Sequence, residues 1–280
     1  MVLPTCEDFP MKFCLLLLTS LFFAVSLPIF APRLVHSEDL TAYIGTYTRG
    51  DSKGIYRLDL SIDGDKLKAS DLTLVGETNN PSFLALHPNG KTLYAVGEFG
   101  EFQGKPSGAV NAFAIGEDGQ LKLINQQPSH GGAPCHLVVD RTGQHVVVAN
   151  YSGGNVASLP IRSDGGLGPA TSVIQHEGSG ADPRRQKGPH AHSINLDASN
   201  RHAYAADLGL DKVLIYDFNE KTGKLTTGDT AAAEVPPASG PRHFAFHPGG
   251  DFAYVINEMK LTVTAFKYDE KTGSLTEMQT

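Results

Sequence analysis

An all-β fold of repeated four-stranded antiparallel sheets is predicted by three features of this sequence. Its 280 residues include 30 Gly and 17 Pro, a density of chain-turning residues that suits many short strands better than long helices. Four hairpin turns follow one recipe: His87-Pro-Asn-Gly-Lys, Asp140-Arg-Thr-Gly-Gln, Asp197-Ala-Ser-Asn-Arg and His247-Pro-Gly-Gly-Asp. Their opening residues are 53, 57 and 50 positions apart, a recurrence that marks a repeat architecture.

Each element follows from this frame. The Gly or Asn three places after each opening residue takes the positive φ that a short hairpin needs. Before the turns lie short apolar strands such as Phe83-Leu-Ala-Leu, Leu137-Val-Val and Phe244-Ala-Phe. After them come Leu93-Tyr-Ala-Val, Val146-Val-Val-Ala, Ala203-Tyr-Ala-Ala and Phe252-Ala-Tyr-Val. Third strands follow at Val110-Asn-Ala-Phe-Ala-Ile, Asn155-Val-Ala-Ser-Leu, Lys212-Val-Leu-Ile-Tyr and Thr262-Val-Thr-Ala-Phe. Turns at Glu117-Asp-Gly, Lys221-Thr-Gly and Lys271-Thr-Gly then lead to weaker fourth strands. Four antiparallel strands per roughly 50 residues is the arithmetic of a β-propeller blade. Tyr43-Ile-Gly-Thr-Tyr aligns with the second strand of the later repeats, so the first blade is expected to lack its innermost strand. The repeats amount to about four and a half to five blades. The expectation is an incomplete propeller over residues 38–280, truncated at its C-terminal end, with an open arc or an unusually small ring as the alternative.

Residues 1–37 read as a signal peptide. Met11-Lys12 precedes the run Phe13-Cys14-Leu15-Leu16-Leu17-Leu18, which continues apolar to about Phe30 and exits through Val35-His36-Ser37. Glu7 and Asp8 have the wrong sign for the leading region, which makes Met11 a candidate start. A signal-anchor helix is the competing reading, against which Pro28 interrupts the run. Cleavage predicts export to the periplasm or medium with no stable membrane insertion; a misassigned N-terminal extension would leave the protein cytoplasmic. It also removes Cys6 and Cys14, leaving Cys135 without an internal disulfide partner. The formal net charge of −7 and the lack of a basic cluster exclude a nucleic-acid partner.

Within a blade, the start of the first strand and the end of the second meet at one rim of the central channel. Ser82, Cys135, His192 and Arg242 stand five positions before the turns, and Glu98, Tyr151, Leu208 and Glu258 eleven after. These equivalent slots carry different residue types, as a non-symmetric ligand site requires, although a wet channel rim could vary as freely. In Gln186-Lys-Gly-Pro-His-Ala-His-Ser, His190 and His192 share one face of an extended chain. They could form half of a Zn site, but no third ligand is spaced to complete it, and no metal or cofactor is expected. His192 suits general acid/base work. Arg242 and Glu258 form either a structural ion pair or a unit that binds an anion and moves a proton. Cys135 reads as a packed strand residue rather than a nucleophile.

Tyr43-Ile-Gly-Thr-Tyr-Thr, Gly188-Pro-His-Ala-His-Ser, Asp207-Leu-Gly-Leu-Asp-Lys-Val, Gly240-Pro-Arg-His and Asn257-Glu258 resemble the lactonase family of seven-bladed β-propellers, the type of 6-phosphogluconolactonase and carboxy-muconate lactonizing enzyme. The resemblance implies metal-independent chemistry at a lactone, with His192 (or His190), Arg242 and Glu258 catalytic, and His190, His243, Asn257 and Asp207 binding substrate. Members carry a further arginine in the blade after Asn-Glu, for which this sequence has no counterpart. Hydrolysis of an anionic lactone by a protein that is monomeric when complete is the leading expectation. Muconate-type cycloisomerisation and a non-catalytic binding propeller are the alternatives.

Overall fold

A computed structural model describes residues 39–63 and 66–280; the signal-peptide reading falls outside them. The described residues form strands and turns without a helix, and none of them can therefore cross a membrane as one.

The strands form five sheets. Sheet one holds β1 (Asp39–Ile44), β2 (Gly54–Asp63), β3 (Lys66–Ala69) and β4 (Thr73–Glu77). Sheet two holds β5 (Leu84–Leu86), β6 (Thr92–Gly97), β7 (Ala109–Ile115) and β8 (Leu121–Pro128). In sheet three the order is β9 (Pro134–Val139), β10 (His145–Asn150), β11 (Asn155–Pro160) and β12 (Ser172–Gln175). Sheet four follows with β13 (Ala191–Leu196), β14 (His202–Asp207), β15 (Lys212–Asn219) and β16 (Lys224–Glu234). Sheet five has β17 (Pro241–Phe246), β18 (Phe252–Asn257), β19 (Thr262–Tyr268) and β20 (Leu275–Gln279). All pairings are antiparallel and, apart from that of β2 with β4, join neighbours in sequence, the meander of a propeller blade.

The first sheet fills only three strand positions. β1 pairs one edge of β2, while β3 and β4 share the other as a broken outer strand. β1 therefore occupies the second-strand position, as the alignment of Tyr43-Ile-Gly-Thr-Tyr expects. The fourth strands are not uniformly weak, since β16 is the longest strand described, at 11 residues. The four turn residues Gly90, Gly143, Asn200 and Gly250 have φ of 70°, 70°, 60° and 82°, so the shared recipe reflects a shared backbone.

The two faces of each second strand pack against different neighbours. Tyr94 and Val96 of β6 join Val146 and Val148 of β10 in one core. Val147 and Ala149 of β10 point the other way, to Ala203 and Ala205 of β14. Tyr204 and Ala206 then meet Ala253 and Val255 of β18. Period-two alternation thus stacks sheet on sheet through buried aliphatic side chains. On β18, Tyr254 and Ile256 face outward and are exposed.

Turn-opening aspartates tie the outer ends together. Asp140 accepts from the backbone of Gln144 and His145, both at 2.7 Å, and from Asn200 Nδ2 of the next blade at 3.0 Å. Asp197 likewise accepts from His202 Nδ1 at 2.8 Å and from Tyr268 OH of the next blade at 2.9 Å. These charge-assisted bonds hold the blades in register and leave the opposite rim free for chemistry.

Candidate active site

At that opposite rim the pairing of inner and second strands slips by one residue in sheets three, four and five. Pro134 and His136 pair with consecutive residues of β10, as do Ala191 and Ser193 with β14, and Pro241 and His243 with β18. The residues skipped are Cys135, His192 and Arg242. A bulge frees a residue from the ladder and re-aims its side chain, and three successive bulges deliver these side chains to one mouth. Opposite them, the N–H groups of Glu98, Tyr151, Leu208 and Glu258 donate to the carbonyls of Asn80, Ala133, His190 and Gly240 at 3.0, 2.9, 2.9 and 2.8 Å. One backbone device thus recurs with a different residue in each blade.

The presented groups form a connected cluster. Arg242 Nε donates to His192 Nε2 at 3.1 Å and lies 3.2 Å from Glu258 Oε2. Arg185 Nη2 bonds the other carboxylate oxygen, Oε1, at 2.8 Å and donates to Tyr151 OH at 3.3 Å. The Tyr151 ring lies edge-on to His192, with centroids 5.4 Å apart, and stacks on His190 at 4.6 Å. On the near side, Glu98 Oε2 accepts from Tyr47 OH at 2.8 Å and from Ser82 Oγ. His192 backs onto His243, whose ring also faces His136. Among the described residues nothing bonds either terminal nitrogen of Arg242, whose side chain is 44% exposed.

The surroundings set the protonation states. Burial, reinforced by the Arg242 charge, lowers the His192 pKa to about 4. The ring is therefore neutral near pH 7, with its Nε2 lone pair on the guanidinium and the proton on Nδ1. Burial raises the Glu258 carboxyl, but the hydrogen bond and charge of Arg185, with the charge of Arg242, outweigh it and hold the group below its usual range. His243 is lowered by burial and then by Arg242. Cys135 Sγ lies 3.8 Å from His192 Nδ1, the nitrogen that carries the ring proton, and donates to His192 O at 3.2 Å. Among the described residues no base faces the thiol, and burial pushes its pKa far up, which leaves it a packing residue rather than a nucleophile.

The structure joins His192, Arg242 and Glu258 as the sequence expects and separates other residues from them. His190 stacks beside the cluster with Nδ1 donating to Tyr151 O at 3.0 Å, so His192 is the histidine that reaches the arginine. His243 is half-buried behind it and forms a wall. Asp207 is a correction: it is fully buried, with Oδ2 on His176 Nδ1 at 2.6 Å and Oδ1 accepting from His190 N at 2.7 Å and Gly209 N at 2.9 Å. It shapes the loop that carries His190 and offers substrate nothing. Asn257 is a second correction, buried with Nδ2 on Thr262 and Thr264. Both occupy the last position of a second strand, where a polar side chain pins the next turn. Leu208 is also fully buried, not at the mouth. Sequence reasoning missed Tyr47 and Arg185. The one available signal for Arg185 was the 57-residue spacing between the turns at Asp140 and Asp197, the longest of the three, since the longer segment is what reaches across to Glu258. Among the described residues, no three His, Cys, Asp or Glu side chains gather as a metal site.

Fold and rim define a class: a β-propeller whose channel mouth carries a histidine–arginine–carboxylate cluster built on strand bulges. More narrowly, residues 41–280 match the family described as lactonase, 7-bladed beta-propeller, and the chain belongs to it. It is 37% identical over 238 residues to 6-phosphogluconolactonase of Bacillus subtilis, covering 85% of this chain and 65% of that protein. It is 32% identical over 230 residues to 6-phosphogluconolactonase of Formosa agariphila, covering 80% and 63%. The chain thus spans just under two thirds of the length of these relatives. Among solved structures, the periplasmic gluconolactonase of Pseudomonas aeruginosa superposes with a TM-score of 0.77 at 34% identity, covering 86% of this chain and 67% of that one.

Proposed function

We propose that the protein hydrolyses a sugar lactone to its aldonic acid. The observation that carries the reading is the state of Arg242: its Nε is fixed by His192 and Glu258, while its terminal nitrogens are unbonded among the described residues and half-exposed. A guanidinium held at its base with its fork free is preorganised for an oxygen that gains negative charge.

Water attacks the lactone carbonyl, and the Glu258 carboxylate takes its proton. The tetrahedral oxyanion rests on the Arg242 fork. Collapse breaks the bond to the ring oxygen, which receives the proton back from Glu258, giving a hydroxy acid in overall balance with one water. His192 holds Arg242 in place and stays neutral, so that it adds no competing charge. The 6-phosphogluconolactonase relatives and the gluconolactonase neighbour support this substrate class. We further place the protein outside the cytoplasm; the apolar segment after Met11-Lys12 and the periplasmic description of that neighbour support export.

The test is proton release from glucono-δ-lactone and its 6-phosphate by the protein and by Glu258→Gln and His192→Ala. Each variant is expected to lose about 100-fold or more, the usual range for a general acid/base or the group that positions its partner, with melting temperatures within a few degrees of the parent. Unchanged turnover in both variants would return the cluster to a structural role.

A further inference from the structure

The Glu258 carboxylate is occupied on both oxygens, by Arg242 Nε on Oε2 and by Arg185 Nη2 on Oε1. The two arginines are held differently. Arg242 comes from a strand bulge and has His192 as a second partner. Arg185 comes from a loop, its side chain is 47% exposed, and its other contact is a long 3.3 Å bond to Tyr151 OH. The loop itself is fixed. Asp182 accepts from the backbone of Arg184 and Arg185 at 2.8 and 3.0 Å. Gln186, 1% exposed, bonds Asp182 N, Leu208 O and Asp211 Oδ1, each at 2.7 Å. A guanidinium on an anchored backbone with a half-exposed side chain can exchange partners without moving the loop.

We propose that Arg185 is the residue that recognises an anionic substituent of the substrate, leaving Glu258 for that group and thereby freeing Glu258 Oε1 for the reacting water. The inference deepens the lactonase reading and rests on it. It also separates the two guanidiniums by task, with Arg242 at the reacting carbonyl and Arg185 at the charged substituent. A phosphate or a carboxylate satisfies the same planar fork. The exchange makes the charged group a condition of efficient turnover, because a neutral lactone leaves Arg185 on the carboxylate.

Unreactive sugars test this without relying on catalysis. Calorimetric affinities would be measured for glucose, glucose 6-phosphate and glucuronate with the parent protein, Arg185→Gln, Arg185→Lys and Glu258→Gln. The parent is expected to favour a charged sugar over glucose by about tenfold or more. Arg185→Gln should abolish that preference, and Arg185→Lys should restore part of it. Glu258→Gln should tighten binding of the charged sugar, since the competing carboxylate is gone. Comparing phosphate with carboxylate tells which anion the site takes. A parent with no preference for charge, or an Arg185→Gln variant that weakens all three sugars equally, would overturn the assignment. Lactone turnover is scored separately: a protein that shows this binding pattern but hydrolyses neither lactone would retain the Arg185 site and lose the lactonase reading.

Discussion

Replacing Asp207 separates a binding role from an architectural one. The sequence places this residue with the substrate, whereas the structure buries it completely. Its side chain accepts from His176 Nδ1, His190 N and Gly209 N, and His176 passes the chain on to Tyr216 OH at 2.9 Å. Asp207→Ala would orphan two backbone donors and one imidazole nitrogen inside the fold. Each buried donor left unsatisfied costs about 1–3 kcal/mol, and the imidazole can shift its proton to Nε2 and donate to Tyr216, so a net loss of about 3–5 kcal/mol is expected. In a fold of this size that corresponds to a melting temperature lower by about 10 °C. Asp207→Asn keeps an acceptor for the two amides and offers an N–H to the switched His176, so its cost should stay near 1–2 kcal/mol. Urea unfolding of the three proteins, read by near-ultraviolet circular dichroism, gives both numbers. An alanine variant that loses less than about 1 kcal/mol while its affinity for sugar falls would refute the architectural assignment and return Asp207 to the substrate.

Arg242→Lys should slow turnover of neutral and phosphorylated lactones alike by about 10- to 1000-fold, because lysine keeps the charge but loses the fork aimed at the developing oxyanion; an effect confined to the phosphorylated substrate would move Arg242 to anion binding. Stability should fall between about pH 6.5 and pH 4. Burial, with the nearby His243 and His192, holds His136 down at about 3, and burial with Arg242 holds His192 at about 4. Both lie below the unfolded value near 6.5, so the unfolded chain takes up protons first as the pH drops and the folded state loses ground. Urea midpoints near pH 7 and pH 5 measure the loss; His136→Asn, which keeps an acceptor for Ile194 N, should flatten it, and a flat parent profile would contradict the assignment. Chelators should leave lactone turnover unchanged, given the lack of a gathered donor set among the described residues; loss in EDTA that added metal restores would refute this.

How much could be read from the sequence differs between fold and site for a physical reason. The blades were legible because period-two alternation, turn glycines and the recurrence of four matched hairpins are local signals, and Gly90, Gly143, Asn200 and Gly250 took the positive φ that their positions demand. Comparing repeats also picked out Cys135, His192 and Arg242, because a slot that changes residue type from blade to blade stands out against a periodic background. That these three are the bulged residues was not legible, since a one-residue slip depends on how two strands pair and leaves no mark in either alone. Asp207 and Asn257 looked like site residues beside their neighbours in sequence, yet a strand end can turn its side chain toward the mouth or into the blade, and only packing decides which. Arg185 escaped because its partner Glu258 is 73 residues away. The sequence by itself determined the repeating sheets and the identities at the rim. The tertiary structure decided which rim residues touch, since contacts between blades depend on bulges and loop lengths that no single repeat encodes.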